Sequence, residues 1–391
     1  MARSIHPFPA RMASEIALDA LAKATGRLRI LDPMCGSGTV LATGVTHGHR
    51  VVGFDLDPLA ILMSKVATDA VDGDAVSKVA LKCVTRAKNS RRVQVPWSDP
   101  RTERFARFWF ASDQFKQLIR LSAEIARVED GLVRNALQIA LSRTIVTKRP
   151  QASLAADTAH SRPHRVATTS AYDVDAGFLR SSALLAKQLD SRTLSGTAVV
   201  ASGDARDKAV YGSRRYDVVL TSPPYLNAID YLRGHRLALI WFGYSIPELS
   251  EIRRTAIGSE CKLDATEMAT LWEDLTPLFP GYADRIEDGQ RHLVARYAKD
   301  MQSLAANIKR SLVPGGQCMI VVADSVLRGN RIPTGDIIVS TLNELSFDRV
   351  TVATREIPAA TRYLPTTNAG ASLGKRMKSE FVVSAWKPVI A

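Results

Sequence analysis

The 391-residue sequence predicts an α/β fold wound around a mostly parallel sheet, and three observations carry that expectation. A short apolar strand, Leu28-Arg29-Ile30-Leu31, runs straight into a glycine-rich loop, Asp32-Pro33-Met34-Cys35-Gly36-Ser37-Gly38-Thr39, and then into a helix of small residues. A second apolar strand, Val51-Val52-Gly53-Phe54, ends on an acidic residue, Asp55. Later strands close in the same manner, one on Gly203-Asp204 and one on Ser222-Pro223-Pro224-Tyr225. Strand, loop, helix and strand in that order form the unit from which parallel sheets are wound.

Taken in order, residues 13–24 repeat apolar positions at helical spacing and predict a helix before the first strand. The helix after the glycine loop spans about 40–46. From about 70 to 196 the alternation gives way to a largely helical pattern with polar breaks. Within it, 82–107 is dense in Arg and Lys, and Phe105, Phe108, Trp109 and Phe110 form an aromatic cluster. Residues 143–165, with Pro150 and Pro163, read as a long basic loop. The sheet resumes at 197–200 and 216–220. Residues 226–243 look helical and 245–285 irregular. A helix over 290–312 meets a stop signal, Val313-Pro314-Gly315-Gly316, before a strand at 318–322 that ends at Asp324. A helix near 335–345 and strands over 347–355 and 380–386 complete the pattern.

The net charge of +13 and the pI of about 9.7 point to a polyanionic partner, because Lys and Arg neutralise phosphates and release their counterions. Charge alone does not separate DNA from RNA. The four cysteines, Cys35, Cys83, Cys261 and Cys318, form no CxxC pair, which excludes a zinc ribbon or a disulfide framework. No apolar run resembles a signal peptide or approaches the ~18 residues of a membrane span, so a reducing, intracellular setting is expected. His160 and His164 are spaced like metal ligands but have no third partner in sequence, so no metal is expected.

Gly36 and Gly38 let the backbone approach a ligand, and the helix that follows presents free N–H groups and a positive dipole. Asp55 is placed to accept hydrogen bonds from ribose hydroxyls, as in dinucleotide-binding folds, although the loop lacks GxGxxG spacing. Asp204 is placed to reach an adenine amino group, and Asp32 to hold an amino group or cap the loop. Ser222-Pro223-Pro224-Tyr225 suits an exocyclic amine, a poor nucleophile while its lone pair is conjugated with its ring. Acceptors that hold its hydrogens, here the Ser222 hydroxyl and the Pro223 carbonyl, turn that lone pair out of the ring plane. Pro223 and Pro224 fix the acceptors in advance, and Tyr225 can stack on an extruded base.

Residues 32–39 resemble motif I of the class I S-adenosylmethionine-dependent methyltransferases, and 222–225 resemble motif IV of their DNA amino-methyltransferase branch. His6-Pro7-Phe8-Pro9-Ala10-Arg11-Met12 is similar to the segment that precedes motif I in many of those enzymes and closes over the methionine end of the cofactor. The resemblance implies a mixed, mostly parallel seven-stranded sheet, S-adenosyl-L-methionine as cofactor, and Pro9 and Ala10 near it. With Asp32, Pro33, Cys35, Gly36, Gly38, Thr39, Asp55 and Asp204 they make the expected cofactor set. Residues 1–69 and 197–391 are expected to form the catalytic domain, and 70–196 a mainly helical, basic insertion.

The Ser-Pro-Pro-Tyr form is most often linked to N4 of cytosine. Here the cofactor loop precedes it, the reverse of many such enzymes, so N6 of adenine stays open. Asn227, Asp230 and Arg233 are either pocket residues or the polar face of a helix. Cytosine-C5 chemistry is a poor fit, since no cysteine lies near Tyr225 and Cys35 sits inside the cofactor loop. Expected DNA contacts are Arg91, Arg92, Arg101, Arg104 and Arg107, with Trp97 and Trp109 near bases or in a local core. A second expected surface is Lys148, Arg149, His160, Arg162, His164 and Arg165.

The implied partner is double-stranded DNA with its target base flipped out, in the bacterial or archaeal cytoplasm and at the nucleoid when acting, with a cognate restriction or defence partner possible. Two alternatives stay open. RNA guanine-N2 methyltransferases use a very similar loop, but usually carry Asp or Asn before Pro-Pro. A catalytically silent nucleic-acid binder is the other.

Overall fold

The computed structural model describes residues 5–9, 11–21, 26–90, 94–226, 230–258, 265–279, 281, 283–327, 330–357 and 379–389. Seven strands form one sheet: β1 (Arg29–Asp32), β2 (Arg50–Asp55), β3 (Thr197–Ser202), β4 (Tyr216–Thr221), β5 (Leu312–Val322), β6 (Asp348–Glu356) and β7 (Ser379–Trp386). Their order is β6-β7-β5-β4-β1-β2-β3. Neighbours from β3 to β5 are parallel, and β7 runs antiparallel to both β5 and β6. The strand order reverses between β1 and β4, which opens a crevice at their carboxyl ends.

Alternating side chains build a core on each face of the sheet. Ile30, Val218, Leu220, Met319 and Val321 pack with helices α1 (Ser14–Leu21) and α2 (Thr39–Thr46). Leu31, Val219, Cys318, Ile320 and Val322 share a core with residues of two later helices, at Asp288–Ser311 and Thr334–Glu344.

Between β2 and β3 lie α3 (Pro58–Thr68), α4 (Gly73–Asn89), α5 (Pro100–Trp109), α6 (Ser112–Ala126), α7 (Gly131–Ile145) and α8 (Val174–Asp190). Their starts are written in the sequence: Asp57, Asp72, Asp99, Asp130 and Asp173 each cap a free N–H at the first turn. This layer was expected, but its core is not confined to 70–196. It also takes Leu59, Met63 and Val66 from α3 and Leu237, Trp241 and Leu249 from beyond β4.

Trp241 is fully buried, edge-on to Trp97, Phe110 and Phe115 at 5.2, 5.0 and 5.6 Å. Trp97 is thus a core residue and not a base contact. Replacing Trp241 with Ala should cost about 3–5 kcal/mol. Denaturant unfolding followed by circular dichroism reads this directly, and a loss below about 1 kcal/mol would contradict the packing.

After α9 (Lys208–Tyr211), the chain forms α10 (Tyr231–Leu239), α11 (Ile246–Thr255), α12 (Ala265–Leu275), α13 (Asp288–Ser311) and α14 (Thr334–Glu344). Three expectations are corrected here. The 245–285 segment holds two helices rather than irregular chain, and α11 begins with a full capping box, Ser245 with Glu248, and a Pro in its first turn.

Residues 143–165 are not an open loop. The chain folds back through a ribbon pairing Ala155–Ala156 with His164–Arg165, and Ala152, Leu154, Ala155 and Thr158 are buried. The Val313–Gly316 stop signal is itself strand: β5 starts at Leu312, with Gly315 at φ 74° beside a register irregularity against β4.

Candidate active site

The crevice between β1 and β4 deepens into a cavity of about 790 Å³. The two sequence motifs meet there. Asp32, at the buried end of β1, accepts a hydrogen bond from Thr221 Oγ1 at the end of β4 (2.7 Å) and one from its own loop at Met34 N–H (3.2 Å). Residues 32–37 and Thr39 line the cavity, as do Ser222, Pro224 and Tyr225. Thr221 was not singled out from sequence, yet it is the cross-strand tie that holds the motifs together.

The glycine loop is shaped by its two glycines. Gly36 adopts φ 50° and faces the ring of Phe8, which a Cβ there would meet at 3.2 Å. Gly38, at φ 82°, packs on Ser64 of α3, where a Cβ would lie 2.9 Å from backbone. Gly38 therefore supports the loop against α3 and is not among the residues lining the cavity. Gly36 N–H donates to Asp55 Oδ2 (2.8 Å) and Asp57 N–H to Asp55 Oδ1 (2.9 Å), so Asp55 pins the loop while lining the cavity. Cys35 is buried, and burial pushes its thiol well above the usual range, as suits a packing residue and not a nucleophile.

Burial also lifts two carboxyls. Asp32 is pushed up to about 7 by desolvation, against the pull of its Thr221 and Met34 hydrogen bonds. Asp55 is pushed up to about 6, again by desolvation first. Asp204 lines the cavity, but its carboxylate is engaged by Arg206, which also bonds Asp300 (2.9 Å) and the Thr255 carbonyl (2.5 Å). Burial works against ionisation of Asp204, and the Arg206 hydrogen bonds outweigh it and hold the pKa below the ordinary value.

The N-terminal arm covers the loop, through other residues than expected. Phe8, Arg11 and Met12 line the cavity, Pro9 is buried off it, and Ala10 lies outside the described residues. Phe8 stacks on Tyr231 of α10 with centroids 4.9 Å apart. His6 anchors the arm by bonding the Pro7 carbonyl (2.7 Å) and Ser142 Oγ on α7, and burial drives its pKa down to about 3, so it is neutral. A further buried pair, Asp57 Oδ2 with His235 Nδ1 (2.5 Å), ties the end of β2 to α10.

Ser222 Oγ donates to the Val321 carbonyl (3.1 Å), which commits its only hydrogen and leaves it to act as an acceptor. Pro223 is buried. Burial raises the Tyr225 phenol and outweighs the opposing pull of its hydrogen bond with Ser222, so it stays protonated.

Of the expected DNA contacts among the described residues, His160 and Arg162 line the cavity. Arg101, Arg104, Lys148, Arg149, His164 and Arg165 are exposed away from it. Arg107 is paired with Glu103 (2.8 Å), and Trp109 packs edge-on to Phe108. Arg91, Arg92 and Asn227 lie outside the described residues, whereas Asp230 and Arg233 line the cavity. Sequence reasoning missed Arg253 and Arg254 on α11, because that stretch reads as irregular. Among the described residues no cluster of three His, Cys, Asp or Glu has metal-binding geometry, and no helix is long and apolar enough to cross a membrane.

A sheet of order 3-2-1-4-5-7-6 with an antiparallel seventh strand, a glycine loop after β1 and acids after β2 and β3 defines the class I methyltransferase fold. That is the fold of S-adenosylmethionine-dependent methyltransferases. The residues present fit that cofactor, with a backbone cradle at Gly36, Asp55 at the end of β2, and buried carboxyls facing a cationic ligand. No family model matches the sequence.

Over 78 residues, 19% of this chain, the sequence is 33% identical to the type II methyltransferase M.MvaI of Kocuria varians, of which the match covers 17%. Among solved structures, the rRNA methyltransferase AviRa of Streptomyces viridochromogenes is similar at TM-score 0.31 and 14% identity, over 96% of this chain and 85% of that one. A protein of Thermus thermophilus described as a putative DNA modification methylase is similar at TM-score 0.24 and 19% identity, over 48% and 53%. At such TM-scores these likenesses carry no argument, and the strand order alone defines the fold.

Proposed function

We propose that the protein is a DNA amino-methyltransferase that transfers a methyl group from S-adenosyl-L-methionine to N4 of a cytosine flipped out of the duplex. The observation that carries this reading is the Thr221–Asp32 hydrogen bond, which ties the ends of β1 and β4 so that the glycine loop and Ser222, Pro224 and Tyr225 line one cavity. Bound there, the cofactor supplies an electrophilic methyl on a sulfonium. The chain's own residues do the rest. Ser222 Oγ and the Pro223 carbonyl hold the amine hydrogens, Tyr225 stacks on the base, and the arm through Phe8 excludes water. The nitrogen bonds the methyl as the sulfur–carbon bond breaks, and the amine then sheds its proton, so no strong base is needed. Such an activity fits bacterial or archaeal DNA modification on nucleoid DNA, with or without a restriction or defence partner.

Pure protein should be incubated with labelled S-adenosylmethionine and genomic DNA or total RNA, followed by nucleoside mass spectrometry. N4-methylcytosine is the expected product. N6-methyladenine would keep the mechanism and change the base, whereas N2-methylguanine in RNA, or no transfer at all, would overturn the reading.

The two lifted carboxyls give a second expectation. Asp32 and Asp55 hold protons in the folded chain that the unfolded chain has already released between about pH 4 and their raised values of about 7 and 6. The folded state therefore gives up stability as pH rises through that window. A ligand with cationic ammonium and sulfonium groups favours the ionised carboxylates. Its binding should release protons and tighten by about tenfold or more from pH 5.5 to pH 7. Calorimetry in buffers of different ionisation enthalpy measures the released protons, and a pH-independent affinity would contradict the placement.

A further inference from the structure

The cavity is bipolar. Its lining at the strand ends includes Asp32, Asp55, Asp57 and Asp204, whereas the turn over 157–162, α10 and α11 contribute Arg162, Arg233, Arg253 and Arg254, with Asp230 paired to Arg253 and Glu251 to Arg254. These arginines come from three elements that are knitted together: the turn over residues 157–162, the start of α10 and the end of α11.

Three contacts do the knitting. Gly234 of α10 lets the turn approach so closely that a Cβ would lie 2.3 Å from the Thr158 carbonyl. Ser161 Oγ donates to the Tyr231 carbonyl (3.3 Å). Asp230 pairs with Arg253 and, at 3.7 Å, with Arg233. The turn itself is rigid, since Thr158 is fully buried with its hydroxyl bonded to the backbone of Ile145 and Thr147, and Arg162 N–H closes it onto the Asp157 carbonyl (3.1 Å). Arg162, Arg233, Arg253 and Arg254 remain exposed to solvent.

We propose that this arginine rim grips the phosphodiester backbone of DNA on both sides of the nucleotide drawn into the cavity. The turn over 157–162 is then the helical layer's own contribution to substrate binding. The inference rests on the amino-methyltransferase reading and moves DNA contact from the outer basic surfaces to the cavity mouth. The charge pattern supports it. A cationic cofactor suits the acidic strand ends, and four guanidiniums against the carboxylates of Asp230 and Glu251 still leave a net positive rim for phosphates, which arginine binds in bidentate fashion. Contacts of this kind position the strand without reading its sequence.

The test uses the full chain with Arg162→Ala and Arg254→Ala, and a Lys148→Ala/Arg149→Ala variant as the outer-surface comparison. S-adenosylmethionine affinity is measured by calorimetry, and affinity for a DNA duplex is measured across a salt series. Each rim variant should keep cofactor affinity, weaken DNA binding on all sequences alike, and flatten the salt slope by about 0.9 for each phosphate no longer neutralised. The outer-surface variant should leave that slope unchanged. If the wild type binds DNA but the rim variants keep its slope, or the outer-surface variant alone loses it, the rim assignment is wrong while the enzymatic reading stands. If the cofactor-loaded wild type binds no DNA, the reading and the rim fall together.

Discussion

Ser222→Ala should cut methyl transfer by about tenfold to a thousandfold, the range seen when one preorganised transition-state partner is removed. Cofactor affinity should be unchanged. The hydroxyl hydrogen of Ser222 is committed to the Val321 carbonyl, so the residue meets an incoming amine as an acceptor, and alanine removes that acceptor at little cost in shape. The variant orphans the Val321 carbonyl, which costs about 1 kcal/mol of stability and leaves the fold intact. Single-turnover transfer to a duplex, paired with calorimetry for the cofactor, separates the two effects. Full-speed turnover would remove Ser222 from the chemistry.

Asp55→Ala should act on the other half of the site and weaken S-adenosylmethionine binding by about a hundredfold or more. Two effects combine. A ribose loses its carboxylate acceptor, with charge-assisted hydrogen bonds of about 1.5–3 kcal/mol each. The glycine loop also loses its pin, because Gly36 N–H and Asp57 N–H both donate to this side chain. Asp55→Asn, which keeps one acceptor oxygen, should fall between the two. Equal affinity in wild type and Asp55→Ala would refute the ribose assignment.

Much of this site was legible in the sequence, for a physical reason. The ends of parallel strands are where ligands bind, and the residues there are unlike the apolar strands that precede them. Asp32, Asp55 and Ser222 each follow an apolar run, which made them visible. The sheet itself followed from the same runs. The arginine rim was less visible, because it is assembled from three elements distant in sequence and no local pattern couples them. Arg162 stood out only as one of a basic stretch, and Arg253 and Arg254 sit in a segment whose helical signals, a capping box and a first-turn Pro, lie only at its start. Trp97 was open between a base contact and a local core. Its basic neighbours suggested a surface, whereas packing against Trp241 decided its place. Thr221 was hidden by its position, since a threonine ending an apolar strand announces nothing until the strand beside it is known.

The placement of β7 between β5 and β6 has a consequence for biosynthesis. A ribosome delivers β6 before β7, its partner in the sheet, exists, and β5 likewise waits with one edge bare until residues 379–386 emerge. Through that interval the edges of β5 and β6 that β7 will pair stand bare, the feature that invites other chains to pair. β6 is mostly exposed and carries Arg349 and Arg355, with Val352 as its one large exposed apolar side chain. Such charges discourage edge pairing, so the order in which the chain is made helps explain why this late strand is so polar.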